Sequence, residues 1–185
     1  MRAPVTREVL QDKESLASMG AVSHHQVATQ LVAWAQHPHD RDEVSVADLW
    51  VEAGEQFALA DEHTQALDAY QRAVGCAVAT SPDARGYVIK ALLELGRTGQ
   101  AQEASDLLRR ARPATAVTYH LVGETWEAVG DLNRANQWLT RGVILAEHHG
   151  DLADVGLLLG ARFRVREALG FPPDDYDETA MDILG

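Results

Sequence analysis

Residues 47–73, A-D-L-W-V-E-A-G-E-Q-F-A-L-A-D-E-H-T-Q-A-L-D-A-Y-Q-R-A, decide the fold. They read as two amphipathic helices joined by a short polar turn. Trp50, Ala53, Gly54 and Phe57 recur at helical spacing on the first helix, and Ala66, Tyr70 and Ala73 on the second. A large aromatic, a small residue and another aromatic in that order let one helix nest against the next. Gly54 and Ala66 stand where the two backbones come close.

The arrangement returns downstream. Tyr119, Val122, Gly123, Trp126, Gly130, Ala135 and Leu139 reproduce it over 116–149, with Gly142 in place of the last small residue. Tyr119 follows Trp50 by 69 residues, which is two periods of about 34 with one residue over. The stretch from Pro82 to Thr115 keeps the period and loses part of the pattern. Leu92, Gly96, Ala101 and Pro113 fit it. Arg85 stands where a large apolar residue is expected, and Ile89 where a small one is expected. A register shifted by three would instead align Ala104, Leu108 and Ala111, and the pattern leaves both registers open.

These positions resemble the tetratricopeptide repeat, in a bacterial-type chain of about three repeats plus a capping helix. The resemblance implies an all-α fold, with antiparallel helix pairs stacked in a right-handed superhelix of about nine helices. Residues 45–150 would hold the three repeats, 151–170 the capping helix, and 1–44 an N-terminal helical pair and linker. Residues 171–185 form an acidic tail. The run from Asp83 to the tail, including R-E-A-L-G-F-P-P-D-D-Y-D (166–177), is also similar to short bacterial repeat proteins that sometimes carry a cysteine-rich zinc motif. That motif is absent, so the likeness implies no zinc.

Local signals mark the helix ends. Residues 1–5 read as a loose start, and a helix is expected over 6–19, stopped by Gly20. Ser23 with Gln26 fits a capping box for a helix carrying Val27, Leu31, Trp34 and Ala35. The polar, proline-containing run 37–43 reads as a linker. Ser45 with Asp48 opens the first repeat, and Ser81-Pro82 the second, with proline in the first helical position. Asp131 is placed to cap the second helix of the third repeat. Asp151 is placed to cap a final helix ending near Gly170, whose C-terminal Arg162, Arg164 and Arg166 suit the helix dipole. The tail is either disordered or carries Tyr176, Met181, Ile183 and Leu184 into a groove.

Composition narrows the function. Sixteen Lys and Arg against 28 Asp and Glu give a net charge of −12. A non-specific nucleic-acid binder draws its affinity from cationic contacts with phosphates, so nucleic acid and anionic membranes are disfavoured as partners. The hydrophobic fraction of 46% supports a packed core. No signal segment or membrane span is visible, so a cytoplasmic protein is expected. The single cysteine, Cys76, cannot form an internal disulfide and reads as a small buried hydrophobe. Histidines occur in near-adjacent pairs (24/25, 37/39, 148/149); adjacent residues point about 100° apart on a helix, so such a pair does not easily share one metal. His63 and Asp61 read as turn chemistry. Of four tryptophans, Trp138 is the one whose exposure the pattern leaves open. No cofactor and no enzymatic constellation is expected.

The resemblance also implies where a ligand would sit. Groove-lining positions of the first helices are Val51 and Glu55, then Lys90 and Glu94, then His120, Glu124 and Glu127. Their charge argues against a carboxylate clamp and for a basic or apolar peptide or helix as partner. The expected function is a non-enzymatic adaptor or scaffold. The alternative is a self-assembling helical module, a homo-oligomer with no groove ligand. These residues are otherwise no more than the solvated faces that every amphipathic helix has.

Overall fold

A computed structural model describes the backbone of residues 2–150 and 152–184. Its described residues form ten helices: α1 (Arg7–Ser18), α2 (His24–Gln36), α3 (Val46–Leu59), α4 (His63–Val74), α5 (Ala84–Glu94), α6 (Thr98–Ala111), α7 (Ala116–Ala128), α8 (Leu132–His149), α9 (Leu152–Ala168) and α10 (Asp175–Leu184). The chain divides into two compact units. One is Met1–Thr80 with Ala91–Thr98; the other is Ser81–Lys90 with Gly99–Gly185, so α5 contributes to both.

In the first unit α3 packs between α2 and α4. Leu31, Leu49, Ala53, Ala66 and Tyr70 are fully buried there. The decisive contact is Gly54 on Tyr70. A Cβ on Gly54 would lie 2.3 Å from Tyr70 Cε1, so only glycine allows the approach. Ser23 and Gln26 form the expected capping box, and Ser45 Oγ accepts from the Asp48 N–H at 3.0 Å. His25 Nδ1 lies 2.8 Å from Glu62 Oε1, tying the start of α2 to the α3–α4 turn.

Residues 2–5 are not loose. Asp42 pairs with Arg2 through both carboxylate oxygens and also accepts from the backbone N–H groups of Val5 (2.7 Å) and His39 (2.8 Å). The Glu43 N–H donates to the Val5 carbonyl at 2.9 Å, and Val5 is buried. The stretch read as a linker therefore holds the first residues in place. The Arg2 guanidinium keeps the Asp42 carboxyl far below the usual carboxylate range.

In the second unit the same size rule operates. A Cβ on Gly123 would lie 2.6 Å from Leu139 Cδ2, and one on Gly142 would lie 2.7 Å from Leu158 Cδ2. Asp131 caps α8, accepting from the Arg134 N–H at 3.1 Å. The middle repeat keeps the unshifted register, since Ala101 is fully buried while Ala104 is half-buried and Ala111 is exposed. Its start differs from expectation. The helix begins at Ala84, and Asp83 rather than Ser81 caps it, accepting from the Arg85 N–H at 3.0 Å. Trp138 is buried. Its indole N–H and that of Trp126 both donate to Ser105 Oγ, at 3.0 and 3.2 Å.

The tail is ordered as α10 and packs on α9. Two arginines of α9, one of them (Arg166) in its last turn, meet the carboxylates of this segment. Arg162, only 3% exposed, donates to Asp177 Oδ1 (2.8 Å), to both oxygens of Asp174 (3.0 and 2.6 Å) and to Thr140 Oγ1 (3.0 Å). Arg166 Nε donates to Asp177 Oδ2 at 2.7 Å. Asp174 and Asp177 cap each other's backbone N–H groups, an Asp-x-x-Asp form of the capping box. Met181 is 44% exposed and enters no groove. The expected cap Asp151 and the side chains of Ile183 and Leu184 lie outside the described residues.

Two substitutions test the packing. Gly54→Ala should destabilise by about 1–3 kcal/mol, because the Tyr70 ring must move. Gly99→Ala, whose Cβ would meet nothing within 4 Å, should be neutral or stabilise by up to about 1 kcal/mol in urea unfolding. Ser105→Ala leaves two buried indole donors without their acceptor. It should cost about 1–3 kcal/mol per orphaned donor, with a change in tryptophan fluorescence.

Candidate protein-interaction surface

Residues expected to line a groove fall in both units, and their environments differ. In the first unit, Val51 on α3 is buried and Glu55 is half-buried. Glu94, ending α5, lies 3.1 Å from His63 Nδ1, whose Nε2 lies 2.9 Å from Asp61 Oδ1. That ring nitrogen is buried and makes no aligned hydrogen bond to the carboxylate. His63 thus joins its own turn to the end of α5 through two carboxylates.

The α3 face is more acidic than the positional carry-over showed. Asp48, Glu52 and Glu55 follow one another at i, i+4 and i+7, so they share one face. Glu14 of α1 reaches the same place and hydrogen-bonds to Glu52. Burial, then the neighbouring Glu55 and Glu14, push the Glu52 carboxyl from its ordinary 4.5 up to about 8. Glu52 therefore holds a proton at neutral pH. Asp48 and Glu52 were legible as the stripe through Glu55; Glu14 was not, because it comes from another helix.

The α7 face is different. His120 Nε2 lies 3.5 Å from Glu124 Oε1. Arg164 of α9 makes a two-pronged pair with Glu127, at 2.8 and 2.9 Å, and stands 3.9 Å from Glu124. Those carboxylates raise the Arg164 pKa. Lys90 is half-buried, and Arg164 places a second base beside Glu124 and Glu127. The arginine was overlooked because its place at a helix end already explained it.

Two clefts lie elsewhere in the first unit. One, of about 330 Å³, opens between α2, α3 and α4, where Arg72 stacks on Trp50 with 5.1 Å from guanidinium carbon to ring centroid. The other, of about 470 Å³, includes His39, Asp42 and Cys76. None of the seven expected residues lines either one. Cys76 lies half-buried in the turn after α4, not in the core, and burial raises its thiol pKa. Among the described residues no three His, Cys, Asp or Glu side chains are grouped to hold a metal, and no helix is long and apolar enough to cross a membrane.

The Glu52 proton makes a stability prediction. Its carboxyl holds the proton more tightly folded than unfolded, so its contribution is complete below about pH 4.5 and is lost as pH rises through about 8. Glu52→Gln should therefore match the parent Tm near pH 5 and exceed it increasingly up to pH 9. Each kcal/mol so relieved raises Tm by about 2–4 °C. A Tm difference that stays constant with pH would remove Glu52 from this account.

Neither a protein-family model nor a curated protein sequence matches the chain. Solved structures do. MamA residues 41 to end from Desulfovibrio magneticus RS-1 aligns over 96% of this chain and 90% of its own, at 15% identity and a TM-score of 0.50. The MamA RS-1 ArsTM double mutant aligns over 96% and 89%, also at 15% identity and 0.50. The Sgt2 TPR domain from Aspergillus fumigatus aligns over 75% and 92%, at 20% identity and 0.47. With its helix pairs, its glycine-on-large-residue contacts and its alignment along most of its length with the two MamA structures, the chain has a tetratricopeptide-repeat-like, all-α fold.

Proposed function

We propose that this chain is a non-enzymatic protein-interaction module that takes a basic or apolar peptide or helix on the groove-lining faces of its repeats. The observation that carries the reading is the α3 face. Burial first, and then the neighbouring carboxyls of Glu55, Glu14 and Asp48, raise the Glu52 carboxyl to about 8. A face in that state favours a lysine or arginine, which would let Glu52 ionise and recover the lost attraction. The fold adds support by analogy, since tetratricopeptide-type folds commonly serve protein binding. The α7 face, with its Glu127–Arg164 pair, suits a partner of mixed charge. A cytoplasmic setting fits the single cysteine.

Capture from a native lysate tests this. Partners held by the parent should be lost, at least tenfold, on Glu55→Lys with Glu124→Lys. Binding of a cation should expel the Glu52 proton, so capture should strengthen from pH 6 toward pH 8 and then level off. Capture unchanged by the double substitution removes these faces from the account.

Self-assembly is favoured by a different observation: Leu16 and Met19, at the end of α1, are 38% and 73% exposed. Light scattering separates the readings. If the parent assembles and Leu16→Glu with Met19→Glu returns it to a monomer, assembly through α1 is the function; a parent that is already monomeric rejects it.

A further inference from the structure

The hold of α10 on α9 is unusual for a terminal helix. Among α10 residues with described side chains only Asp177 and Ala180 are buried, and Tyr176 is half-buried. Little apolar surface anchors the helix. Charge does: Arg162 and Arg166 together meet both aspartates through five hydrogen bonds or ion contacts, and Arg166 Nη2 adds the Pro172 carbonyl at 2.8 Å. Two aromatics of the same segment complete the cradle. Arg162 lies over Tyr176 at 5.2 Å and Arg166 over Phe171 at 5.3 Å. Tyr176 also donates to Glu147 of α8 at 2.9 Å.

With α10 in place Arg162 is buried, and there the two carboxylates of residues 171–177 meet its charge. A helix held by ion pairs with few apolar contacts detaches at modest cost and is weakened by salt. We infer that α9 is a binding site for an acidic helix start of the form Asp-x-x-Asp with an aromatic residue inside it, and that residues 171–177 occupy it as a displaceable internal ligand. The partner is then a polypeptide presenting two carboxylates three residues apart at a helix N-terminus, opposite in charge to the ligand of the α3 face. The Arg162–Arg166 cradle includes none of the groove-lining residues and does not depend on the function proposed for them.

The test uses the full chain with Asp174→Asn and Asp177→Asn, which weakens the internal ligand and leaves the cradle intact. A fluorescent peptide of residues 171–185 is titrated and followed by anisotropy. The peptide should bind this variant at least tenfold more tightly than the unmodified chain, whose own tail competes at an effective concentration on the order of millimolar. The peptide carrying both asparagines should bind at least tenfold more weakly, and added salt should weaken binding. Absence of binding to a variant with parental helicity, or equal binding of the asparagine peptide, overturns the inference. If the variant loses helicity, hydrogen exchange on the unmodified chain decides. Amides of α10 exchanging well before those of α9 support displacement; exchange of both only on global unfolding rejects it.

Discussion

Close approach of paired helices is the constraint on which the rest depends. In each regular pair one residue without a side chain faces a large one: Gly54 against Tyr70, Gly123 against Leu139. Dispersion and apolar burial reward this contact only when both partners keep their sizes. Once made, it fixes how each helix is rotated about its axis. That rotation decides which residues of α3 and α7 are carried outward and which go to the core. The acidic stripe of α3 is therefore a by-product of the packing on its opposite side.

How much could be read from sequence followed the range of the interaction. Helix identity in 47–73 and 116–142 was legible, because apolar spacing at a helical period is strong and the 34-residue recurrence corroborates it. Caps at Ser23, Ser45 and Asp131 were legible because each spans three residues. The anchoring of the N-terminus was not, since Arg2 and Asp42 meet across forty residues and neither looks special alone. The ordered tail was missed for a related reason. Its anchor is a buried arginine, which contradicts the usual placement of that residue, and its acids suggested solvation. For the candidate site, positions could be carried over but environments could not. Val51 sits at an outward position and is buried, while Arg164 enters from a helix that positional reasoning treated as a cap.

Charge is distributed less evenly than the net value of −12 suggests. At least eight arginines (2, 72, 85, 109, 134, 162, 164 and 166) already contact carboxylates within the chain. Much of the basic complement thus serves internal structure, which leaves the outward field dominated by acid. The most buried of these pairs are also those that hold the terminal segments. Arg2 secures one end and Arg162 the other, so the ends of the chain depend on ion pairing while its middle depends on packing.

The middle repeat shows how such a chain can change over time. Its Ile89 stands 35 residues after Gly54, and its Ser105 stands 35 after Tyr70, so the large and small members of the pair have traded places. Both are buried, and the hydroxyl has acquired two indole donors. Restoring glycine at 89 alone would open a void, and restoring an aromatic at 105 alone would collide with Trp126 and Trp138. Either reversal made alone therefore disturbs a buried site, so this unit of a periodic chain resists a return to its siblings' pattern one substitution at a time.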